Sequence, residues 1–168
     1  DFLGRLVARL GEPVVHLALK QAMGLLSDQL VLVPTIEEAL DRSHQNAQRS
    51  YRHSFDMLGE AALTHQDAER YTEAYLDAIA ALAGDDAAKD SDFFARPGLS
   101  VKLSALHPRY EFAQKEQVMA ELLPRLSHIV SQARATNIGL TLDAEEADRL
   151  DLSLDLFAAV FTTPSRGG

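Results

Sequence analysis

The chain has 168 residues, 46% of them hydrophobic and 24% charged, enough apolar material for one packed domain or part of a larger one. Its formal net charge of −9, from 25 acidic and 16 basic residues, argues against nucleic-acid binding through this segment, which needs a basic face. The absence of cysteine removes disulfides, thiolate catalysis and zinc–thiolate sites, and no apolar run approaches the roughly 20 residues that span a bilayer.

The chain opens on Asp1 rather than Met and carries no signal-peptide pattern, as expected of a cytosolic piece of a longer protein. "FLGRLVARL" (2–10) reads as a short amphipathic helix, interrupted by Glu12-Pro13. "VVHLALKQAMGLLSDQLV" follows as a longer one, with apolar positions at Val15, Leu17, Leu19, Ala22, Met23 and Leu26. Thr35, with Glu38 three residues on, has the form of a capping box and starts a helix from Ile36 to about Gln48. "YRHSFDMLGE" (51–60) is a candidate strand. Thr64 then opens a helix that closes at Gly84. A polar loop ends in the Pro97-Gly98 turn signal.

"LSVKLSALHPRY" (99–110) alternates strictly. Leu99, Val101, Leu103 and Ala105 share one parity; Ser100, Lys102 and Ser104 share the other, so the stretch reads as a strand over 99–105. "QKEQVMAELLPRLSHIVSQARATN" is a long helix, and Pro124 implies a kink or two helices meeting there. "IGLTLD" is a third strand, with Ile138, Leu140 and Leu142 opposed to Gly139, Thr141 and Asp143. "ADRLDLSLDLFAAVF" is a last helix.

From residue 51 onward strands and helices take turns, the order of a parallel sheet with crossover helices. Strands covered by helices on both faces read as continuous apolar runs. Here each strand keeps a polar parity: Ser54, Asp56 and Glu60; Ser100, Lys102 and Ser104; Thr141 and Asp143. That pattern suits a barrel with a polar interior site. The expected fold is α/β: N-terminal helices over 1–49, then over 50–168 the first three βα units of a (β/α)8, TIM-like barrel, incomplete in this chain.

A lysine inside a barrel needs an anion. Asp56, Glu60, Asp143 or a ligand could supply it, and the competing reading is an edge-strand lysine facing water. Asp143 ends the third strand, where barrel enzymes place active residues, or else caps the following helix. Asp143, Glu145 and Glu146 could bind a divalent metal for a hydrolase or isomerase, or could be a solvated helix N-terminus. No two histidines stand four apart, so no histidine metal site is expected, and His107 reads as a loop residue. A non-catalytic helical interaction module is the remaining alternative. No dinucleotide or phosphate-loop motif is present.

"SFDMLGEAALT", "GLSVKLSALHPRYE" and "LTLDAEEADRLDLSLDLF" together resemble the proline dehydrogenase domain of the bifunctional proline utilisation flavoenzymes (PutA), from about Gly11 to Phe161. The resemblance implies a distorted (β/α)8 barrel that binds FAD at the C-terminal ends of its strands. It implies oxidation of L-proline to Δ1-pyrroline-5-carboxylate, with electrons passed to a membrane quinone. Lys102 matches the lysine beside the flavin that helps to bind the proline carboxylate. Asp143 matches an aspartate at the flavin ring, and Ala144 its neighbour against the cofactor. Glu60 matches a glutamate that pairs with an arginine of the last barrel helix and closes the site. That arginine, its neighbour on the carboxylate and most FAD contacts belong to later parts of the barrel. The fragment alone is therefore expected to be inactive. The parent enzyme is expected to be cytoplasmic, peripheral to the inner membrane, and to carry an aldehyde dehydrogenase domain.

Overall fold

The computed structural model describes residue 14 and residues 16–22, 35–45, 52–57, 61–85 and 92–162. The chain divides into two compact units, Asp1–Gln48 and Arg49–Gly168. In the first unit, residues 16–22 form α1 and Ile36–Gln45 form α2. The backbone N–H of Glu38 donates to Thr35 Oγ1 at 3.3 Å, so Thr35 caps α2 as its sequence predicts. Leu17, Leu19 and Ala22 of α1 are exposed, so the expected apolar stripe is uncovered there. The expected helix over 2–10, the remainder of the second helix and the stretch to Gln48 lie outside the described residues.

In the second unit three short strands, β1 (Ser54–Asp56), β2 (Gly98–Val101) and β3 (Gly139–Leu142), pair in parallel in chain order. Asp56 stands opposite Ser100, and Ser100 opposite Thr141. The crossovers run through α3 (His65–Gly84) and α4 (Lys115–Ala135), and α5 (Leu150–Thr162) follows β3. Leu99 and Val101 of β2, Tyr75, Ile79 and Leu82 of α3, Leu122, Leu126 and Ile129 of α4, and Leu152 and Leu156 of α5 form the buried core. Burying one such aliphatic side chain contributes about 1.5–3 kcal/mol, and this burial holds the crossovers to the sheet. A three-stranded parallel sheet removes the purely helical alternative.

Local chemistry sets the element ends. Thr64 caps α3 with a complete capping box, in which Asp67 N–H donates to Thr64 Oγ1 and the Asp67 carboxylate accepts from Thr64 N–H. α4 runs unbroken through Pro124. Pro124 and Ala120 both lie on the exposed face, so the carbonyl that loses its N–H partner meets water. Just past the end of α4 and its cap Thr136, Asn137 takes the left-handed region, φ 59°. Asn137 N–H donates to Arg134 C=O and Ile138 N–H to Ala133 C=O, the paired bonds of a Schellman ending with buried Ile138 beneath them.

Two expected boundaries differ. β2 stops at Val101, and Leu103–Ala105 turn into a 3-10 helix, although Leu103 and Ala105 stay buried. The apolar alternation marked burial correctly but outran the extended backbone. Asp143 does not cap the next helix: a 3-10 turn at Ala147–Arg149 intervenes before α5, and the Asp143 side chain points elsewhere.

Candidate active site

Parallel pairing brings the ends of all three strands to one edge. Asp56 closes β1, Lys102 follows β2 and Asp143 follows β3. Period-two alternation turns their side chains to the same face. There the Lys102 ammonium donates to Asp56 Oδ1 at 2.6 Å and lies 3.0 Å from Asp143 Oδ2. The other Asp143 oxygen, Oδ1, accepts a short hydrogen bond from the Ser100 hydroxyl. Ser100 is itself buried, so the polar parity of β2 is only partly open to solvent.

Among the described residues the chain supplies this ammonium with two carboxylates, Asp56 and Asp143. The set is about one-quarter to two-fifths exposed: 23% for Lys102, 27% for Asp143 and 39% for Asp56. It is open enough to meet a ligand and shielded enough for its charges to matter. Burial alone would raise the Asp143 carboxyl. Hydrogen bonds from Ser100 and Lys102, with the lysine charge, outweigh it and hold Asp143 below the usual aspartate range.

The backbone beyond β2 is pinned by side chains. Lys102 N–H donates to the hydroxyl of Tyr75 at 3.1 Å, and Ser104 N–H donates to Glu145 Oε1 at 2.9 Å. Arg149 reaches Glu145 Oε2 at 3.3 Å and Glu146 Oε2 at 3.0 Å, and its guanidinium lies over the Tyr110 ring. Asp143 thus turns to Ser100 and Lys102, whereas Glu145 and Glu146 share Arg149. Among the described residues no group of three acidic or histidine side chains could hold a metal ion.

Ala144 is exposed immediately beside Asp143. Glu60 lies outside the described residues. Composition and motif left Ser100, Tyr75 and Glu145 without these partners. For Ser100 the signal was present, since it shares the parity of Lys102. Tyr75 and Glu145 act across elements, where local pattern carries no information. His107, read as a loop residue, is buried to 1% exposure. Its Nδ1 accepts from Arg109 N–H at 3.1 Å and its Nε2 lies 3.3 Å from Glu121 Oε2.

A family model described as proline dehydrogenase matches residues 39–168, which include all three strands and this cluster. The chain belongs to the proline dehydrogenase family. It is 44% identical over 166 residues to the bifunctional protein PutA of Klebsiella aerogenes, covering 99% of this chain and 12% of that protein. It is 47% identical over 152 residues to the Rhizobium meliloti protein of the same name, covering 90% of this chain and 12% of that protein. A crystal structure of a Bradyrhizobium japonicum Proline Utilization A mutant superimposes with TM-score 0.72 at 50% identity, over 98% of this chain and 16% of that one. The Bdellovibrio bacteriovorus PutA structure, at 22% identity, shares the fold with TM-score 0.81 over 90% of this chain and 17% of its own. The chain thus spans about an eighth of the curated relatives it matches, 12% of their length.

Proposed function

We propose that this chain opens a (β/α)8 barrel whose complete form oxidises L-proline to Δ1-pyrroline-5-carboxylate with FAD as its resident cofactor. In this reading residues 1–49 are a helical segment before the barrel and residues 50–168 its first part. One observation carries it: Asp56, Lys102 and Asp143 converge at the C-terminal edge of a parallel sheet, where barrel sites lie, in a family member.

The cluster suits the ligand's charge pattern. Proline at neutral pH is a zwitterion, with a ring ammonium and a carboxylate, and the cluster also carries both signs. Lys102 binds the carboxylate, and the paired aspartates favour the ammonium. The site also fits a flavin. An ammonium donor and carboxylate acceptors stand side by side, and exposed Ala144 beside them would present only a methyl group to a flat ring. Asp143 and Ala144 would hold the cofactor, which when bound supplies the acceptor for the hydride from proline. Asp143 is ionised at neutral pH, as any aspartate with a pKa at or below the usual range is, and its carboxylate holds the Lys102 ammonium at 3.0 Å. By the sequence resemblance, Glu60 would pair with an arginine of the last barrel helix and close the site over substrate.

The short share of each relative that is matched, and the word bifunctional in their names, support a longer parent chain with a second activity, which the sequence resemblance implies is that of an aldehyde dehydrogenase domain. One solved relative is described as PutA with proline bound in remote sites, which supports proline recognition in this group. Electrons pass on to a membrane quinone from a cytoplasmic protein peripheral to the inner membrane. Among the described residues no helix is long and apolar enough to cross a bilayer.

A full-length protein carrying this segment should show flavin absorbance that bleaches when proline is added without oxygen. A colourless protein with a tightly bound divalent ion would overturn the reading. The isolated 168-residue chain should neither hold stoichiometric FAD nor reduce a dye with proline, because later strands supply much of both sites.

A further inference from the structure

We propose that Tyr75 is a positioning residue for Lys102, acting from the crossover helix through the lysine backbone. The proposal rests on the reading above that Lys102 binds the substrate carboxylate. In the β1–β2 ladder, Gly98 N–H donates to His53 C=O at 3.0 Å. Backbone groups alternate sides along a strand, so Gly98, Ser100 and Lys102 all turn their N–H groups toward β1. Continued at the same offset, the ladder would send Lys102 N–H to the carbonyl of residue 57. β1 ends at Asp56, and Lys102 N–H instead donates to Tyr75 Oη at 3.1 Å.

This exchange has a consequence for the side chain. Lys102 is the last extended residue, φ −94° and ψ 124°, before the backbone tightens into the 3-10 turn at Leu103–Ala105. A hydroxyl in place of a strand carbonyl lets β2 end there while Lys102 keeps the strand conformation that aims its ammonium at Asp56 and Asp143. Tyr75 is fully buried in α3 among core residues, so its ring fixes where the hydroxyl sits. Few residue types could do this. Phe fills the same space but offers no acceptor, and Ser from the same helical position is too short to reach.

The test is a double-mutant cycle in the full-length enzyme, using Tyr75→Phe, Lys102→Met and both together. The readout is the affinity of a non-oxidisable carboxylate analogue of proline, followed through the flavin spectrum, with KM and kcat alongside. Tyr75→Phe should weaken analogue binding roughly three- to tenfold, the scale of one net hydrogen bond, and raise KM more than it lowers kcat. On the Lys102→Met background the same substitution should change affinity by less than about twofold, because the group it positions is gone. Equal losses on both backgrounds would show a structural role and overturn the proposal. Normal analogue affinity in Tyr75→Phe, with weakened affinity in Lys102→Met, would overturn it while leaving the lysine assignment intact. Normal affinity in Lys102→Met would instead overturn the lysine assignment, and the role of Tyr75 with it. Circular dichroism melts of all four proteins show that each variant is folded when titrated.

Discussion

Lys102 and Asp143 meet across the ends of neighbouring strands, ammonium to Oδ2 at 3.0 Å, while Ser100 holds the other carboxylate oxygen from within β2. The serine sets the carboxylate's rotation, and the rotation presents Oδ2 to the lysine. Asp56 Oδ1 accepts from the same ammonium at 2.6 Å. Removing the lysine would thus take from both carboxylates the positive charge they share. The cluster of Asp56, Lys102 and Asp143 would turn from mixed to purely negative, the wrong sign for a substrate carboxylate.

Lys102→Met should therefore weaken proline binding far more than FAD binding. A charge-assisted hydrogen bond in a shielded site contributes roughly 1.5–3 kcal/mol, which is about ten- to a hundredfold in affinity. Met retains most of the apolar stem, so Lys102→Ala should behave nearly the same if charge is what matters. A Met variant that binds a proline analogue normally would end the assignment.

Asp143 makes stability depend on pH at the acid end. Its folded pKa lies below the ordinary value near 3.8, through the Ser100 and Lys102 bonds that outweigh burial. Its contribution is fully present above that value and is lost as pH falls through the lower, folded pKa. Asp143→Asn keeps an oxygen for Ser100 but cannot titrate. The gap in melting temperature between the two proteins should be widest at neutral pH and should shrink below about pH 4. A gap independent of pH would show that the charge contributes nothing.

His107 works in a different window. Burial pushes its pKa below the ordinary 6.5, although the Glu121 carboxylate opposes this. His65, at the start of α3, packs edge-on against its ring and also reaches Glu121 Oε2 at 3.6 Å. The unfolded chain therefore takes up a proton first. Stability should be full above pH 6.5 and should fall below it, by at most about 1.4 kcal/mol per pH unit, until the folded histidine also protonates. His107→Gln should flatten the melting profile between pH 7.5 and 5.5. A wild-type profile already flat in that range would count against the neutral, buried state.

The functional edge was legible because a strand's period of two is a geometric rule: Phe55, Leu99, Val101, Leu140 and Leu142 hold the apolar parity, so the polar parity that carries Asp56, Lys102 and Asp143 falls on the other face. Pattern failed where a contact depends on another element. Asp143 looked like a helix cap because its own neighbourhood is acidic and helix-bound, yet hydrogen bonding to Ser100 on an adjacent strand prevails. The alternation Leu103–Ala105 looked extended because burial, not backbone angle, is what apolar spacing reports. Tyr75 is core, and only its hydroxyl has a second role, which no spacing reveals.

Gly98 and Gly139 stand opposite each other in the β2–β3 register, yet alanine should act oppositely at the two positions. A Cβ on Gly98 would lie 3.1 Å from the carbonyl oxygen of Gly139, and that oxygen belongs to a paired strand backbone that cannot easily retreat. A Cβ on Gly139 would meet only the Phe93 ring, at an ordinary 3.7 Å. Each alanine gains about 0.4–1 kcal/mol by restricting the unfolded chain. At Gly98 the crowding should exceed this, since overpacking costs about 1–3 kcal/mol, so Gly98→Ala should be net destabilising by about 1 kcal/mol. Gly139→Ala should be neutral to stabilising by up to about 1 kcal/mol. Thermal melts of the two variants beside the parent protein decide it: a stabilised Gly98→Ala would mean that β3 shifts aside without cost, and that the close approach of these strands is not a packing constraint.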